Sequence, residues 1–319
     1  MRAYAAKAYG GPEVMALADM PDPEPGKGEV VVAVKASSVN PVDWKLRSGA
    51  MRLFTGSRFP KVYGCDVAGV VHKLGAGVTG WSAGDSVYGY SPIMFRRPGA
   101  HAEQVAMEAN RLRRLPAGLT FEQAAALPVA ALTAHNGLRQ CGPLAGKAVI
   151  VNGATGGVGH FALQLAKARG ARVTAVCSAR NADRARSLGA DVAIDYRAQD
   201  FTRGTERFDV VFDAYGKLGF AAASRALSPG GFYVSTLGNP SLMARALWQK
   251  LAGGKQIIFA NMRDKEEDYA ALEVDLGTGK VRPVIEKVFP LEQAAEAFAS
   301  QESGGPVGKV VIRVAPGAI

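Results

Sequence analysis

The 319-residue chain exceeds one typical domain and is long enough for two, each with its own core. Hydrophobic residues at 48% and charged residues at 21% exclude the disordered, low-hydrophobicity regime. A formal charge of +10 admits a polyanionic partner, but Lys and Arg are scattered without a run of five or more. No nucleic-acid partner is therefore expected, and the simpler reading is a basic proteome or a positive cleft that draws in an anionic cofactor.

In chain order, the first third reads as short strands, Glu29–Lys35, Val67–Leu74 and Asp85–Tyr90, separated by the turn-rich PDPEPGKG and GAGVTGWSAGD. This is β-rich, barrel-like material. The TFEQ segment offers Thr120 as N-cap and Gln123 as its reciprocal partner, a capping box that opens a helix and sets the domain junction near residue 120. From Lys147 the rhythm changes to strand (KAVIVN), glycine turn, helix (Gly157–Arg169) and strand (ARVTAVC), the alternation of a doubly wound parallel Rossmann sheet. FDVVFDA (Phe208–Ala214), a helix at Ala221–Leu227 and a strand and turn at Gly230–Gly238 continue it. The tail holds a strand at Glu286–Phe289, a helix around Ala294 and Phe298, and a strand at Gly308–Val314. The expected fold class is α/β: a β-barrel domain over 1–120, completed by about 280–319, and a Rossmann cofactor domain over 121–279.

Cys65, Cys141 and Cys177 are odd in number and widely spaced, so they build neither a disulfide framework nor a metal knuckle. The opening MRAYAAKAYGGPEV lacks a long apolar run, and no stretch of about 18 apolar residues occurs anywhere. A cytoplasmic chain with no integral membrane insertion is expected.

The strongest chemical signal is NGATGGVGH. Gly153, Gly156 and Gly159 stand three apart between an apolar strand and a helix, with Thr155, Gly157 and Val158 completing the turn. That context puts backbone N–H groups and the positive end of a helix dipole where a pyrophosphate lies. The spacing is GxxGxxG rather than GxGxxG, and this departure alone leaves the dinucleotide open. The end of the next strand decides: a carboxylate there would bind the ribose hydroxyls of NAD, and none is present. Ser178 and Arg180 suit a 2′-phosphate instead, and Tyr196, ending the following strand, adds a hydroxyl. NADPH is the expected cofactor.

NPVDWK (Asn40–Lys45), DVAGVV (Asp66–Val71), ALPVAALTA (Ala126–Ala134), GATGGVGHFALQLAK and VTAVCSARN occur together in one order. With these motifs the whole chain resembles quinone oxidoreductases of the medium-chain dehydrogenase/reductase superfamily. It is most similar to plant chloroplast-envelope quinone oxidoreductase homologues and the related enone oxidoreductases. The resemblance implies a GroES-like barrel flanking the Rossmann domain, with the active site in the cleft between them, and by analogy a homodimer formed through an edge strand of the Rossmann sheet.

Zinc alcohol dehydrogenases share that architecture, so the metal question turns on residues. Their first ligating cysteine matches Asn40, their ligating histidine matches Cys65, and residues 89–110 carry no cysteine where a structural zinc needs four. His72, His101, His135 and His160 show no HxxxH spacing. No metal site is expected. Without a Lewis acid, hydride addition to an already electrophilic quinone or enone is favoured over alcohol oxidation.

The resemblance further implies roles for single residues. Lys45 holds the nicotinamide ribose or stabilises the oxyanion, and Asn40 binds a water or the carbonyl. Thr133 touches the nicotinamide ring, and the Leu237 and Gly238 backbone binds its carboxamide. Tyr63, with Tyr88, lines the substrate cleft, and Asp43 fixes the NPVDWK turn. The alternatives are a zinc-independent carbonyl or alcohol dehydrogenase, which would demand a strong protein acid that the sequence does not supply, and a non-catalytic NADPH-binding protein that recognises RNA or a membrane surface.

Overall fold

The ten residues EVVVAVKASS, Glu29–Ser38, are almost all buried because the strand they form has neighbours along both edges. Asp66–Leu74 and Gln104–Glu108 run antiparallel to its first half. Lys309–Arg313, from the far end of the chain, runs antiparallel to its last residues, with Val311 opposite Ser38. The computed structural model describes residues 1–93, 97–304 and 307–314, without the side chains of Phe54, Lys250, Leu251 and Ala252. It divides into one unit of Met1–Val129 with Pro283–Ile319 and a second of Ala130–Arg282.

In the first unit the seven-stranded sheet also takes in Ile285–Pro290, Ser86–Tyr90 and Leu112–Arg114, and a three-stranded sheet joins Arg2–Ala6 to Met15–Asp19 and Lys61–Val62. The helix Phe121–Ala125 has the capping box read from the sequence: Gln123 N–H donates to Thr120 Oγ1 at 3.3 Å, and Thr120 N–H to Gln123 Oε1 at 2.9 Å. This helix packs on the Glu29–Ser38 and Asp66–Leu74 strands, so the first unit runs on past Thr120 to Val129.

The second unit is built on six parallel strands. From one edge they are Val192–Asp195, Arg172–Cys177, Ala148–Asn152, Phe208–Asp213, Leu227–Ser235 and Gln256–Phe259. Chain order reverses at the central Ala148–Asn152 strand, and the carboxyl ends at such a switch point form the ligand crevice of doubly wound sheets. The helix after that strand spans Gly159–Ala168, starting two residues later than the glycine pattern suggests, and it is buried from Gly159 through Ala166. It is therefore not the one-faced helix its periodicity implies. Gln164 holds it from the outer side, donating to the Arg282 carbonyl at 3.0 Å and accepting from Arg282 N–H at 3.1 Å. Helices at Pro128–Arg139, Pro240–Ala252 and Glu266–Gly277 and the Gln256–Phe259 strand are additions to the sequence reading.

Candidate active site

Strand register gathers most of the predicted cofactor residues along one edge of the parallel sheet. Asn152 pairs with Val176 and Asp213, Cys177 with Asp195, and Asp213 with Ser235, so five strands end level. Gly153, Ser178, Tyr196 and Leu237 each follow such an end by one or two residues.

Each glycine of the turn has its own physical reason. Gly153 has φ +75°, in the left-handed region, and its N–H and that of Ala154 both donate to the Val176 carbonyl at 3.1 Å. At Gly159 a Cβ would lie 2.0 Å from the Gly153 carbonyl oxygen, so no larger residue closes the turn. At Gly156 a Cβ would stand 3.4 Å from that same oxygen, ordinary contact, so the fold does not demand glycine there. Glycine there keeps the backbone open to close approach. Gly157 and Val158 lead into a helix that has no side-chain cap, which suits its N-terminus to an anion. Thr155 is buried and accepts from Asn181 Nδ2 at 3.4 Å, linking the turn to the next strand's end.

Sequence reading missed Asp213, which is fully buried beneath this edge. Its carboxylate accepts from Asn152 Nδ2 at 2.8 Å, Gly216 N–H at 3.0 Å, Leu218 N–H at 2.9 Å and the Tyr233 hydroxyl at 3.0 Å. It pins the residue before Gly153 and shapes the loop carrying Tyr215, whose Cβ stands 3.4 Å from where a Gly153 Cβ would be. The signal was an acid closing an otherwise apolar strand, FDVVFD.

Ser178 is buried beyond Cys177, while Arg180 is exposed on the 3-10 turn Ala179–Asn181 and makes no ion pair with a described residue. Tyr196 is 55% exposed, so it is not a packing residue, and its N–H donates to the Cys177 carbonyl at 3.2 Å. Arg197 lies over its ring at 5.5 Å, a second cation that the sequence reading passed over. Thr133 is buried on Pro128–Arg139, one turn before Gly137. A Cβ at Gly137 would approach Phe212, Ala260 and Val234 within 2.9 Å, so the helix lies tight on the sheet. Leu237 differs from expectation: its N–H donates to Ser235 Oγ at 3.2 Å and its carbonyl accepts from the same hydroxyl at 2.8 Å. Its main chain is already engaged, whereas Gly238 lies beside the Phe259 ring.

In the first unit, Pro41–Arg47 begins at Asn40, whose N–H donates to Asp43 Oδ2 at 2.7 Å. The Asn40 side chain is buried, and both ends of its amide are engaged within the first unit. Its Nδ2 donates to Asp66 Oδ2 at 2.8 Å and its Oδ1 accepts from Lys309 Nζ at 2.6 Å. The cause is register: with Val311 opposite Ser38, the strand carries Lys309 to Asn40. Asp66 also accepts from the Ser38 hydroxyl and from Val129 N–H at 2.9 Å, and Lys309 Nζ lies 3.4 Å from it. Asp43 accepts from Gly64 N–H at 3.0 Å and Cys65 Sγ at 3.7 Å, and burial lifts its carboxyl to about 7. It is the turn-fixing residue that the sequence reading described.

Tyr63 is corrected as well: it is 2% exposed in the hydrophobic core, its hydroxyl has no hydrogen-bond partner among the described residues, and burial raises its pKa. Tyr88 is likewise buried. An alternating strand pattern does not say which face is solvent. Lys45 stands apart. It is half-buried, burial lowers its pKa, and its ammonium lies 5.7 Å from the Trp44 ring, with no hydrogen bond or ion pair to a described residue. Trp44 is itself held by Gln301 at 2.9 Å.

Residues 26–117 match the model of the alcohol dehydrogenase GroES-like domain, and residues 188–312 match that of zinc-binding dehydrogenases. The chain is 35% identical to 2-methylene-furan-3-one reductase of Solanum lycopersicum, over 99% of this chain and 80% of that protein. It is 32% identical to the chloroplast envelope quinone oxidoreductase homolog of Arabidopsis thaliana, over 98% of each. The chain belongs to the quinone oxidoreductase family of medium-chain dehydrogenases/reductases. It is an oxidoreductase that uses a nicotinamide cofactor. The quinone oxidoreductase of Coxiella burnetii superposes with a TM-score of 0.90 at 31% identity, covering 99% of each chain. A mycobacterial structure complexed with NADPH superposes at 0.83 with 27% identity, over 98% of this chain and all of that one.

Zinc-binding members of this architecture make the donor set worth testing in this quinone oxidoreductase. Burial and the neighbouring Asp43 and Asp66 push the Cys65 thiol well above its usual pKa, which disfavours the thiolate. Asn40 is bonded at both ends of its amide. Among the described residues no group of three or more His, Cys, Asp or Glu is arranged to hold a metal ion. The residues at this position do not fit zinc.

Proposed function

We propose that this oxidoreductase reduces quinones or α,β-unsaturated carbonyls with NADPH, by hydride transfer that needs no zinc. The observation that carries the reading is the cluster at the family's metal position, where Lys309 bonds Asn40 and neutralises Asp66. That cluster supplies no Lewis acid for an alcohol, which leaves substrates whose conjugation already makes carbon electrophilic.

The glycine turn, with Gly156 open to close approach, would hold the pyrophosphate, and Ser178, Arg180 and Tyr196 the 2′-phosphate. Thr133 and Gly238 would seat the nicotinamide. Bound NADPH supplies the hydride for the electrophilic carbon. Lys45 would offer its ammonium to the substrate oxygen, where negative charge develops as that carbon is reduced. Its unengaged N–H groups and lowered pKa suit it to neutralise the enolate or quinolate and to pass on a proton. With this reading go a cytoplasmic homodimer and a small apolar substrate. The dimer is supported by the outer edge of Gln256–Phe259, which no described strand pairs.

The test is a panel of quinones, enones and simple ketones, followed by loss of NADPH absorbance with and without a strong chelator. Quinones or enones should be reduced equally in both, and Lys45→Met should lower kcat by roughly 10²-fold, the usual scale for losing a donor at a developing oxyanion. Ketone reduction that vanishes together with one bound zinc would overturn the proposal.

A further inference from the structure

The helix Pro240–Ala252 is sharply bounded. Asn239 Oδ1 accepts from Leu242 N–H at 2.8 Å, Pro240 opens the first turn, and Gly253 ends it at φ +73°. Leu242 and Ala246 anchor it to the core of the second unit. The outer stripe is unusual: Met243 is 59% exposed, Leu247 66% and Trp248 65%, with Ala244 exposed between them. Positions 243 and 247 are one turn apart, as are 244 and 248, so the four share a face. A stripe of this size on a surface helix marks a contact.

Charge indicates what the contact is. Between Asp213 and Asp264 the chain carries Lys217, Arg225, Arg245, Lys250, Lys255 and Arg263 and no acidic residue. Arg245 reaches over the Phe220 ring at 4.7 Å, and Lys255 Nζ donates to the Ser224 carbonyl, which ties the Phe220–Ala226 helix to this region, while Arg225 on that helix donates to Thr202 Oγ1 at 3.3 Å. In the preceding loop Gly216 packs against the Leu237 side chain, and Lys217 lies 5.0 Å over the Tyr215 ring. Arg263 is paired with Glu267 at 2.6 Å and Asp268 at 3.0 Å, which leaves Arg245 on the helix, Lys255 just beyond it and Lys217 as cations without an ion pair to a described residue.

A twofold contact through this patch would set the cations of one copy against the same cations of the other. A nucleic acid would satisfy the cations and leave the exposed Leu and Met without a partner. We propose that Pro240–Ala252 docks the protein on the surface of a bilayer containing anionic lipid, with Met243, Leu247 and Trp248 entering the headgroup–acyl boundary and the surrounding Lys and Arg meeting the headgroups. No helix among the described residues is long and apolar enough to cross a membrane. This surface stands independently of the reaction assigned above.

Sedimentation of NADPH-saturated protein with phosphatidylcholine vesicles, with and without phosphatidylserine, tests it. Binding should require phosphatidylserine, weaken as salt rises, and fall by roughly tenfold or more in Leu247→Glu, the scale set by one buried leucine. Leu53→Glu, at a 92% exposed leucine in the first unit, should bind as wild type does, and both variants should keep the wild-type melting temperature and NADPH affinity. Trp248 emission should shift to the blue on binding, a shift absent from Trp248→Phe. Vesicle binding that survives Leu247→Glu, or no binding to anionic vesicles at low salt, overturns the proposal. So does a dimer that Leu247→Glu dissociates without vesicle binding, since the stripe would then belong to a second copy.

Discussion

The glycine turn after Ala148–Asn152 and the polar cluster around Asp66 are both dense in hydrogen bonds, but they direct them differently. Around Asp66 the donors and acceptors close on one another: Ser38, Asn40, Val129 and Lys309 all end on one carboxylate or on the Asn40 amide. Along the sheet edge, buried Asp213 organises the loops from below while Arg180 and Tyr196 stay exposed and Gly156 keeps its approach open. A site that has satisfied itself is scaffold, and one that leaves hydrogen-bonding capacity toward solvent can take a ligand. By the same criterion Lys45, and not Asn40, is the polar side chain of the NPVDWK motif left without a hydrogen bond to a described residue.

The largest effect should come from opening the closed cluster. Lys309→Met leaves the buried Asp66 carboxylate without its cation, and removing one partner of a buried pair costs about 3–5 kcal/mol. Urea unfolding should show that loss, with much of it recovered in the Lys309→Met/Asp66→Asn double variant. A neutral single variant would mean that the cluster is not interlocked, and the contrast would fail.

The two glycines separate fold from binding within the other region. Gly159→Ala forces a Cβ to within 2.0 Å of the Gly153 carbonyl and should cost about 2–3 kcal/mol of stability, with cofactor binding lost alongside. Gly156→Ala should stay within about 0.5 kcal/mol of wild type in melting, yet bind NADPH more weakly. Thermal denaturation and cofactor titration on both proteins give the comparison. Equal behaviour in the two variants would show that Gly156 faces no ligand.

The smallest effect is the most selective. Arg180 is exposed, so Arg180→Ala should leave folding unchanged. Loss of one charge-assisted bond of roughly 1.5–3 kcal/mol should weaken NADPH by one to two orders of magnitude while NADH binding is unaltered. If both cofactors weaken equally, the phosphate contact lies elsewhere, with Arg197, over Tyr196, the first alternative to examine.

What the sequence determined by itself was local. The strand–glycine–helix order, the Thr120 capping box and the βα alternation are set by neighbours along the chain, and each stands where its pattern puts it. The positions of Gly153, Ser178 and Tyr196 at one sheet edge were legible for the same reason, since each follows a strand end that its own apolar run announces. The tertiary structure decided which side chains were still available. Asn40 read as a ligand-facing amide until a register 269 residues away brought Lys309 onto it, and Tyr63 read as a cleft wall until the sheet closed over it. Periodicity reports that a residue alternates or recurs, not which face the rest of the chain will cover. The stripe at Met243, Leu247 and Trp248 is the converse case: helical spacing like that of a core face, on the side of the helix that the fold leaves uncovered.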